Sequence, residues 1–510
     1  MKRKLSNLLT FAIILLICLP GCRQGEGNNG KEKSVDISNN QEYLEILKKK
    51  YPDAEYEIRD GKIWANYPEL IIWENQKLRV TEERNNHPGT LWWPEAGLGL
   101  FMHWGIVSAY EPTGEAWCVR WTQAKKDAGR HLAPPTEIWA MAETWNPENY
   151  DPEKWMEAAS KAGFRYAVLT SKHHDGYALW DSDVALLNSG KYMNRDLLQP
   201  YVDACRNNDM KVGFYYSGMD WYYEREYMNW SFDPDIIMNE KHEVVSSRPE
   251  HPEGFREEFK KYNAGQVNEL ISRYDPDIWW GDGGHGLPAS EIRELRPGIV
   301  VNNRGDGGDH VTSEGFHMSK PKYIEVVRRN GWWWEVNSII TRGSWHYDQR
   351  TEEVNSTEAV LYELAKTRCM GGNLLANIGP RPDGTLPDQA YRLFSEMADW
   401  MEYHSKAVFE IDGGGPWPEK SNVPITCKDR TWYLFPRPAI GTTKEPIELY
   451  VDSKPTKVEL MRNGEEIAYS YEDGLLNIVI PDNLRTTLLD VLIMTMPDDF
   501  DPIKYKFTHW

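Results

Sequence analysis

The amino-acid sequence predicts an α/β protein: a TIM-like (β/α) barrel, closed or imperfectly closed, followed by a C-terminal antiparallel β-sandwich. Three observations support this prediction. Short apolar runs alternate with amphipathic helices from about residue 91 to residue 407. From residue 408 the helical pattern stops, and short alternating strands with turn signals replace it. Finally, polar residues follow the apolar runs of the first region, as they do at the mouth of a parallel barrel.

The barrel prediction for residues 91–407 rests on two sets of segments. Six apolar runs are predicted as strands: LGLFMHW, YAVLTS, KVGFYYS, DIWWGD, IVVNNR and NLLANIG. Five segments have the apolar period of a helix: DPEKWMEAASKAG, RDLLQPYVDACRNN, GFREEFKKYNAGQVNELISRY, STEAVLYELAKTR and QAYRLFSEMADWMEYHSKA. Because strands that alternate with helices form parallel sheets, we expect one barrel here.

The segments outside the barrel also carry distinct patterns. Residues 408–510 contain TWYLFPRP, IELYV, KVELMRNGEEIAYSYEDGLLNIVI and LDVLIMTMP, which predict the β-sandwich. Residues 41–90 begin with a helical pattern, QEYLEILKKKY, and continue as AEYEIRDGKIWANY, a predicted hairpin that turns at Asp60-Gly61. This N-terminal segment has no functional interpretation.

The first 40 residues predict export. Residues 1–21 combine a basic start with a short apolar run and form a signal peptide, and LPGC at its end resembles a bacterial lipobox. Cleavage before Cys22 would leave that cysteine as the lipidation site, although an ordinary signal peptide is the alternative. Residues 22–40 form a polar linker suited to a tether. We therefore expect a periplasmic or cell-surface protein that contacts a membrane only through a lipid anchor.

Composition restricts the partners. A formal net charge of −20 argues against nucleic acid as a ligand. The 23 Trp and 27 Tyr fit a packed core and also fit stacking on sugar rings. Cys118, Cys205, Cys369 and Cys427 are far apart and have no metal-ligand spacing.

Polar residues stand at six predicted strand ends. Some of these residues have a simple structural explanation when taken singly. His103 could be a loop residue, and Arg304 could pair with a neighbouring carboxylate. Asp282 could be a turn residue in Gly281-Asp282-Gly283. Together they predict a site at one face of the barrel. The candidate residues at these ends are His103, His173, His174, Asp175, Tyr216, Asp282, Arg304 and Glu314.

Three chemistries compete for these residues. Adjacent strand residues point to opposite faces, so His173 and His174 are poorly placed to bind one metal ion, and no HExxH-like cluster occurs. A Ser-His-Asp hydrolase lacks its G-x-S-x-G elbow. Two carboxylates in an aromatic-lined pocket with histidines are the pattern that glycoside hydrolysis needs.

Four motifs, in order, resemble the α-L-fucosidases of glycoside hydrolase family 29: GLGLFMHWGIVS, YAVLTSKHHDGYALWDS, KVGFYYSGMDW and GGNLLANIGPRPDGTLP. The resemblance extends from about Leu91 to Pro387 and implies a retaining glycosidase that needs no cofactor and no metal. WWGDGG resembles the segment with the family's nucleophile, which implies that role for Asp282. GDHVTSEG resembles the segment with the acid/base, which implies that role for Glu314, with Glu335 as the second choice.

The same resemblance implies the substrate contacts. The sugar would touch these residues: His103, Glu115, Trp117, His173, His174, Tyr216, Trp280, Arg304 and Trp345. The substrate would be an oligosaccharide or polysaccharide that ends in α-L-fucose.

Departures from the family pattern keep other functions open. Tyr177 stands where Phe is common, and His346 adds a polar group beside Trp345. Such groups would suit terminal α-L-galactose, which carries a hydroxyl on C6, because recognition of one hydroxyl shifts specificity strongly. The chain could then be an α-L-galactosidase acting on an algal or other polysaccharide. From a different class, it could be an inactive surface lipoprotein that binds glycans.

Overall fold

The computed structural model describes Lys48, residues 55–59 and 62–66, and residues 84–502 except 111–115, 128, 315–332, 342, 351 and 419. The predicted signal peptide, Cys22, the linker and Glu115 lie outside the described residues, as does the predicted helix at 41–51 except for Lys48. The predicted hairpin is confirmed: β1 (Glu55–Arg59) pairs antiparallel with β2 (Lys62–Asn66).

Ten strands form the principal sheet. In chain order they are β3 (Leu98–Met102), β4 (Tyr166–Lys172), β5 (Tyr177–Ala178), β6 (Leu187–Asn188), β7 (Lys211–Ser217), β8 (Ile278–Asp282), β9 (Val300–Val301), β10 (His310–Glu314), β11 (Trp333–Ile339) and β12 (Asn373–Ile378). Eight of them are parallel neighbours in the order β10-β11-β12-β3-β4-β7-β8-β9. The short strands β5 and β6 extend β4 at its carboxyl end.

The barrel closes between β9 and β10. Just past β9, Asn302 forms a parallel bridge with His310, and the Asp309 amide donates to the Val301 carbonyl at 2.6 Å. This short junction makes the ring nearly complete, so all eight carboxyl ends face one mouth. The predicted barrel is therefore confirmed.

Helices surround this ring. They are α1 (Trp93–Ala96), α2 (Ile106–Ala109), α3 (Gln123–Asp127), α4 (Pro135–Ala140), α5 (Pro152–Lys161), α6 (Ser189–Met193), α7 (Leu198–Asn207), α8 (Phe255–Tyr274), α9 (Ala289–Leu295), α10 (Thr357–Cys369) and α11 (Asp388–Phe409). Short 3₁₀ turns occupy Pro88–Thr90, Ala116–Val119, Met141–Glu143 and Asp482–Leu484. Side-chain oxygens of Asp151 and Ser356 accept from the first-turn amides of α5 and α10, which explains where those helices begin.

The inside of the barrel is filled with aromatic side chains. A buried cluster there includes Phe101, Tyr166, Tyr215 and Trp280, with Trp93 of α1 packed against Tyr166. A larger cluster lies between the strands and the helices. The polar strand ends lie above this aromatic filling and line an open mouth.

A β-sandwich follows α11. Its strands are β13 (Gly413–Gly414), β14 (Ile425–Lys428), β15 (Thr431–Leu434), β16 (Ile447–Tyr450), β17 (Lys457–Leu460), β18 (Tyr469–Glu472), β19 (Leu475–Ile478) and β20 (Leu492–Thr495). They form one sheet in the order β13-β14-β15-β20-β17 and a second in the order β16-β19-β18, with a separate apolar core. The predicted antiparallel sandwich is thus confirmed.

Two further features concern the chain as a whole. Within the described residues, every helix is too short or too polar to cross a bilayer. Cys118, Cys205, Cys369 and Cys427 are buried, and no disulfide joins them.

Candidate active site

The carboxyl ends of the barrel strands bring most of the predicted site residues together. His103 follows β3, His173 and His174 follow β4, and Asp282 ends β8. Glu314 ends β10. Arg304 lies in the loop between β9 and β10, and Trp345 lies beyond β11. Convergence of these side chains at one mouth is what parallel strand ends produce.

One guanidinium links the two carboxylates of the mouth. Arg304 Nη1 donates to Asp282 Oδ1 at 2.9 Å, and Nη2 donates to Glu314 Oε1. Arg304 Nε donates to Thr312 Oγ1 at 3.1 Å, which holds the plane of the fork. Asp282 and Glu314 remain partly exposed, at 23% and 28% of their side-chain surface, so both can reach a ligand.

The surroundings of Asp282 keep it ionised. Burial by itself would raise its pKa, but the charge of Arg304 and the nearby His174 outweigh burial and hold the pKa below its ordinary value. Hydrogen bonds from Arg304 and from the Tyr215 hydroxyl, at 2.9 Å to Oδ2, act in the same direction. An ionised carboxylate at the mouth has the charge state that a nucleophile requires.

Tyr215 takes the place that the sequence assigned to Tyr216. The Tyr216 ring is fully buried on the outer side of β7, and its hydroxyl contacts Asn263 Oδ1 at 2.9 Å and Gln266 Oε1 at 3.1 Å, both on α8. Successive strand residues point to opposite faces, so a shift of one residue moves the side chain out of the barrel. The prediction that Tyr216 contacts the sugar is therefore corrected.

Three predicted histidines and one neighbour cluster beside Asp282. His174 Nε2 lies 3.5 Å from Asp282 Oδ2, and its Nδ1 contacts Ser217 Oγ at 2.7 Å. The His173 ring lies 5.6 Å from that of His103 and 4.8 Å from that of His346. His346 is 2% exposed, so the extra polar residue noted in the sequence is part of this cluster.

The orientation of His103 follows from Asn377, a residue that the sequence did not single out. Asn377 Nδ2 donates to the Trp345 carbonyl at 2.7 Å, which turns Oδ1 toward His103 Nδ1 at 2.6 Å. Because an amide oxygen only accepts, Nδ1 carries the proton and Nε2 is left as an acceptor. His103 can thus accept a hydrogen bond from a hydroxyl group.

Burial keeps these imidazoles neutral. It lowers the pKa of His103 to about 3 and that of His174 to about 4, although Asp282 pulls in the opposite direction. Burial and the neighbouring histidines hold the pKa of His173 and of His346 well below the ordinary value. Neutral rings both donate and accept, as recognition of sugar hydroxyls requires.

Two buried ring nitrogens of the cluster lack a hydrogen-bond partner among the residues that the structure describes. They are His173 Nδ1 and His346 Nε2. A buried polar atom without a hydrogen bond is unfavourable, so its presence at a functional mouth indicates a group that a ligand would satisfy. The histidine cluster therefore has spare hydrogen-bonding capacity for a hydroxylated ligand.

Aromatic rings form the floor of the mouth and part of two sides. Trp280 is 2% exposed, stacks on Tyr215 with ring centres 5.5 Å apart, and lies 4.7 Å beneath Arg304 Cζ, which makes it floor. Trp345 faces His103 at 5.1 Å. On the opposite side, Trp117 contacts His174 edge-on at 5.3 Å. The mouth thus has the aromatic lining that the sequence predicts.

Glu335 lies below the floor. It is fully buried, accepts from Tyr166 at 2.7 Å and from Trp280 Nε1 at 3.0 Å, and faces His310 Nε2 at 3.7 Å. A carboxylate in that position has no contact with the mouth. The alternative acid/base role for Glu335 is therefore contradicted.

Asp175 and Tyr177 also lie away from the mouth. Asp175 is buried and accepts from the Tyr177 amide at 2.9 Å, which makes it a turn residue. The Tyr177 ring packs against Trp145 at 5.7 Å and Tyr192 at 6.4 Å. The interpretation that Tyr177 faces the sugar is corrected, because β5 directs the ring into the surrounding core.

The donor set suits acid–base and nucleophilic chemistry. Asp282 is an ionised carboxylate, Glu314 a second carboxylate on the same guanidinium, and the histidines are neutral. Within the described part of the chain, no three His, Cys, Asp or Glu side chains are grouped for a metal ion. Two carboxylates that face one cavity can displace and protonate the two sides of a glycosidic bond.

Comparison with known proteins agrees with this arrangement. The family profile described as alpha-L-fucosidase matches residues 72–406. The chain is 25% identical over 416 residues to the tissue alpha-L-fucosidase of Bos taurus, covering 76% of this chain and 83% of the bovine one. It is 26% identical over 374 residues to an alpha-L-fucosidase of Branchiostoma floridae, covering 68% of this chain and 77% of that one.

Solved structures share the fold. A family 29 alpha-L-fucosidase of Bacteroides thetaiotaomicron, solved as a trapped covalent intermediate, superposes with a TM-score of 0.65 at 23% identity, over 82% of this chain and 99% of that one. Alpha-L-fucosidase isoenzyme 1 of Paenibacillus thiaminolyticus gives 0.66 at 24% identity, over 81% and 99%. With the family profile matched over most of the barrel, the chain belongs to the α-L-fucosidase family, glycoside hydrolase family 29, and is a glycoside hydrolase.

Proposed function

We propose that the protein is a retaining exo-α-L-fucosidase that removes terminal α-L-fucose from glycans through a covalent glycosyl-enzyme intermediate. The observation that carries the proposal is the pair of partly exposed carboxylates, Asp282 and Glu314, on the two arms of the Arg304 guanidinium. Retaining enzymes need two carboxylates only about 5–5.5 Å apart, and a shared guanidinium keeps such a pair close together.

In this mechanism Asp282 is the nucleophile. An Oδ of Asp282 attacks the anomeric carbon while Glu314 gives its proton to the departing glycosidic oxygen, so the old C–O bond breaks as the new one forms. A water molecule then replaces the aglycone, Glu314 removes its proton, and attack at the anomeric carbon releases Asp282. Two inversions leave the configuration of the sugar unchanged.

The histidines and aromatic rings hold the sugar. His103 Nε2 is an acceptor, and His173, His174 and His346 add further donors and acceptors for ring hydroxyls. Trp345 and Trp117 offer apolar surface on opposite sides of the mouth. Glu115, outside the described residues, stays a predicted contact.

The first test measures hydrolysis of 4-nitrophenyl α-L-fucoside by wild type and by Asp282→Ala. Loss of the nucleophile is expected to reduce kcat by several orders of magnitude, with the unchanged circular dichroism spectrum as the folding control. Undiminished turnover would remove the nucleophile assignment.

The second test examines whether Glu314 is the general acid/base. Glu314→Ala is expected to slow substrates with poor leaving groups far more than the nitrophenyl fucoside, and added azide should restore turnover of the activated substrate. Equal slowing of both substrates without azide rescue would exclude Glu314 as the acid/base. The wild-type enzyme should also produce the α-anomer first, as followed by NMR.

A second candidate function is α-L-galactosidase, and His346 is the observation that favours it. Its buried, unpartnered Nε2 stands in the cluster that includes His103, the imidazole facing Trp345. A C6 hydroxyl could satisfy that nitrogen, whereas the methyl group of fucose could not. Parallel kinetics on 4-nitrophenyl α-L-fucoside and α-L-galactoside would decide, and His346→Phe should shift the kcat/KM ratio toward the fucoside.

Two remaining proposals complete the function. We propose export and lipidation at Cys22, and mass spectrometry of the purified N-terminus would identify an acylated Cys22 or an ordinary cleaved end.

Glycan binding without hydrolysis of either nitrophenyl sugar would favour an inactive binding protein over a glycosidase.

A further inference from the structure

An aromatic surface runs outward from the catalytic carboxylate. His174 contacts Asp282, and the rings of Trp117 and Trp221 lie 5.3 and 5.1 Å from His174. Phe232 stacks on Trp117 at 6.1 Å with an interplanar angle of 27°, and 43% of Phe232 is exposed. Exposed rings beside a sugar site offer stacking surface for the next sugar of the substrate.

Arg120 covers the outer end of this surface. Its Cζ lies 4.1 Å over the Phe232 ring and 5.9 Å from that of Trp230. No carboxylate among the described residues forms an ion pair with Arg120, and its buried Nε has no hydrogen-bond partner. Burial and the neighbouring charge of Arg248 lower the pKa of Arg120 to about 10. A partly buried guanidinium next to a second cation favours an anion.

A cavity with basic side chains in its lining begins one residue beyond Arg120 in the chain, at Trp121. The segments around Trp121 and Phe232 are joined by hydrogen bonds at 2.8 and 2.9 Å, and His242 Nε2 contacts the Val119 carbonyl at 2.8 Å. The cavity has a volume of about 520 Å³, and its lining includes Trp121, Lys126, Arg130, His131 and His242. Its described lining contains no acidic side chain, although the whole chain carries a net charge of −20.

We propose that this side of the mouth is a subsite for an anionic acceptor sugar, and that Arg120 recognises its sulfate ester or carboxylate. The inference rests on the proposed glycosidase function and names the substrate class: glycans with an acidic group on the sugar that departs. The guanidinium already lies over the Phe232 ring, so less side-chain freedom is lost when its fork pairs with an oxyanion.

The test compares disaccharides that differ only in a sulfate or a carboxylate on the acceptor sugar. The wild type should have a higher kcat/KM for the acidic forms. Arg120→Gln should reduce the acidic-to-neutral ratio of kcat/KM by about 10- to 100-fold, the range for losing a hydrogen bond to a charged group. The acidic-to-neutral ratio for Arg120→Lys should fall between the ratios of the wild type and Arg120→Gln, because lysine keeps the charge without the planar fork.

Arg430→Gln is the matched control. Arg430 is a partly exposed arginine of the sandwich that pairs with Asp498, so its loss alters the net charge equally but should leave the ratio unchanged. A ratio that Arg120→Gln leaves at the wild-type value would overturn the subsite, as would a wild type that prefers the neutral disaccharide. A preference for only one acidic form identifies the group that is bound.

Direct binding separates this proposal from the proposed function. If no disaccharide is hydrolysed, calorimetry with the sulfated or carboxylated acceptor sugar alone still reports on the subsite. If the wild type binds this sugar and Arg120→Gln binds it more weakly, the subsite is supported even though the hydrolytic function fails. Equal binding, or none to either protein, overturns the subsite.

Discussion

At the level of single residues, Arg304 determines the charge environment of both carboxylates in the mouth. Burial opposes its charge, yet Glu314 and Asp282 outweigh burial and raise the pKa of Arg304. The reverse also holds, because the same guanidinium lowers the pKa of Asp282. Arg304 therefore controls the ionisation of Asp282, in addition to its predicted role as a substrate contact.

This coupling predicts a shift in the pH profile. Arg304→Gln removes the cation that stabilises ionised Asp282, so the pKa of Asp282 should rise. Because Asp282 acts as a carboxylate in the proposed mechanism, the acidic limb of kcat/KM against pH should move to higher pH. Arg304→Lys keeps a positive charge and should move the limb less. An acidic limb at the wild-type pH in Arg304→Gln would contradict the coupling.

Glu335 supports a second prediction. Its two oxygens accept from Tyr166 and Trp280, and an amide in its place would turn a donor toward one of them. Glu335→Gln should lower the free energy of unfolding by about 1–3 kcal/mol, as measured in urea. It should slow activated and poor leaving groups equally, without azide rescue. Rescue by azide would restore Glu335 as an acid/base.

At the level of elements, the alternation of β7 decides which tyrosine reaches Asp282. Tyr215 points into the barrel toward Asp282, and Tyr216 points toward α8, where the Lys172 ammonium lies 4.6 Å from its ring. Lys172 is itself fully buried and pairs with Asp220 at 3.1 Å. The outer face of β7 therefore has buried polar contacts of its own near the carboxyl end of the strand.

Two adjacent phenylalanine substitutions test the alternation. Tyr215→Phe removes a hydrogen bond to a charged group, worth about 1.5–3 kcal/mol, and should lower kcat about 10- to 100-fold. Tyr216→Phe should instead reduce the free energy of unfolding by about 1 kcal/mol with little effect on kcat. The reversed pattern in steady-state kinetics and urea unfolding would return Tyr216 to the site.

Two barrel strands are absent from the six apolar runs predicted as strands, although Glu314 at the end of β10 was already a candidate site residue. Strand β10 reads HVTSE, and β11 carries Glu335, Asn337 and Ser338 among its apolar residues. The sequence criterion for a buried parallel strand is a continuous apolar run, whereas these strands place polar groups inside the barrel beneath or at the mouth. Their polarity belongs to the site, and so the pattern that marks ordinary strands is absent.

At the level of the whole molecule, the sandwich packs directly on the last barrel helix. Trp400 of α11 donates to the Leu489 carbonyl at 2.7 Å, and Thr426 Oγ1 donates to the Ala407 carbonyl at 2.5 Å. Phe435, Leu489 and Val491 of the sandwich belong to the apolar cluster around the barrel. The two parts therefore share one buried interface.

This shared interface predicts coupled stability. Trp400→Ala would leave a cavity and an unpaired carbonyl, and should lower the free energy of unfolding by about 3–5 kcal/mol. Tyr403→Ala on the same helix is the control, since Tyr403 is 51% exposed and should matter much less. Calorimetric unfolding would measure both. If Trp400→Ala lowers the free energy of unfolding as little as Tyr403→Ala does, the interface contributes little to stability.

The amino-acid sequence by itself determined the features that local patterns encode. Alternating apolar runs and helical periods predict the barrel and the sandwich, because periodicity reflects which face of an element is buried. The order of strand ends predicts that His103, His174, Asp282, Arg304 and Glu314 meet, because parallel strands share one carboxyl edge. Motif resemblance added the family, which the profile match then established.

Only the tertiary structure decided the direction of individual side chains and their partners. In the structure Tyr215, and not Tyr216, contacts Asp282, and Glu335 lies under the floor of the mouth. The Tyr177 ring packs in the core. Asn377 contacts His103 although the two are 274 positions apart in the chain. These outcomes depend on one-residue register and on contacts between distant strands. Local sequence carries neither, because a side chain's partners are set by which strands become neighbours when the barrel closes.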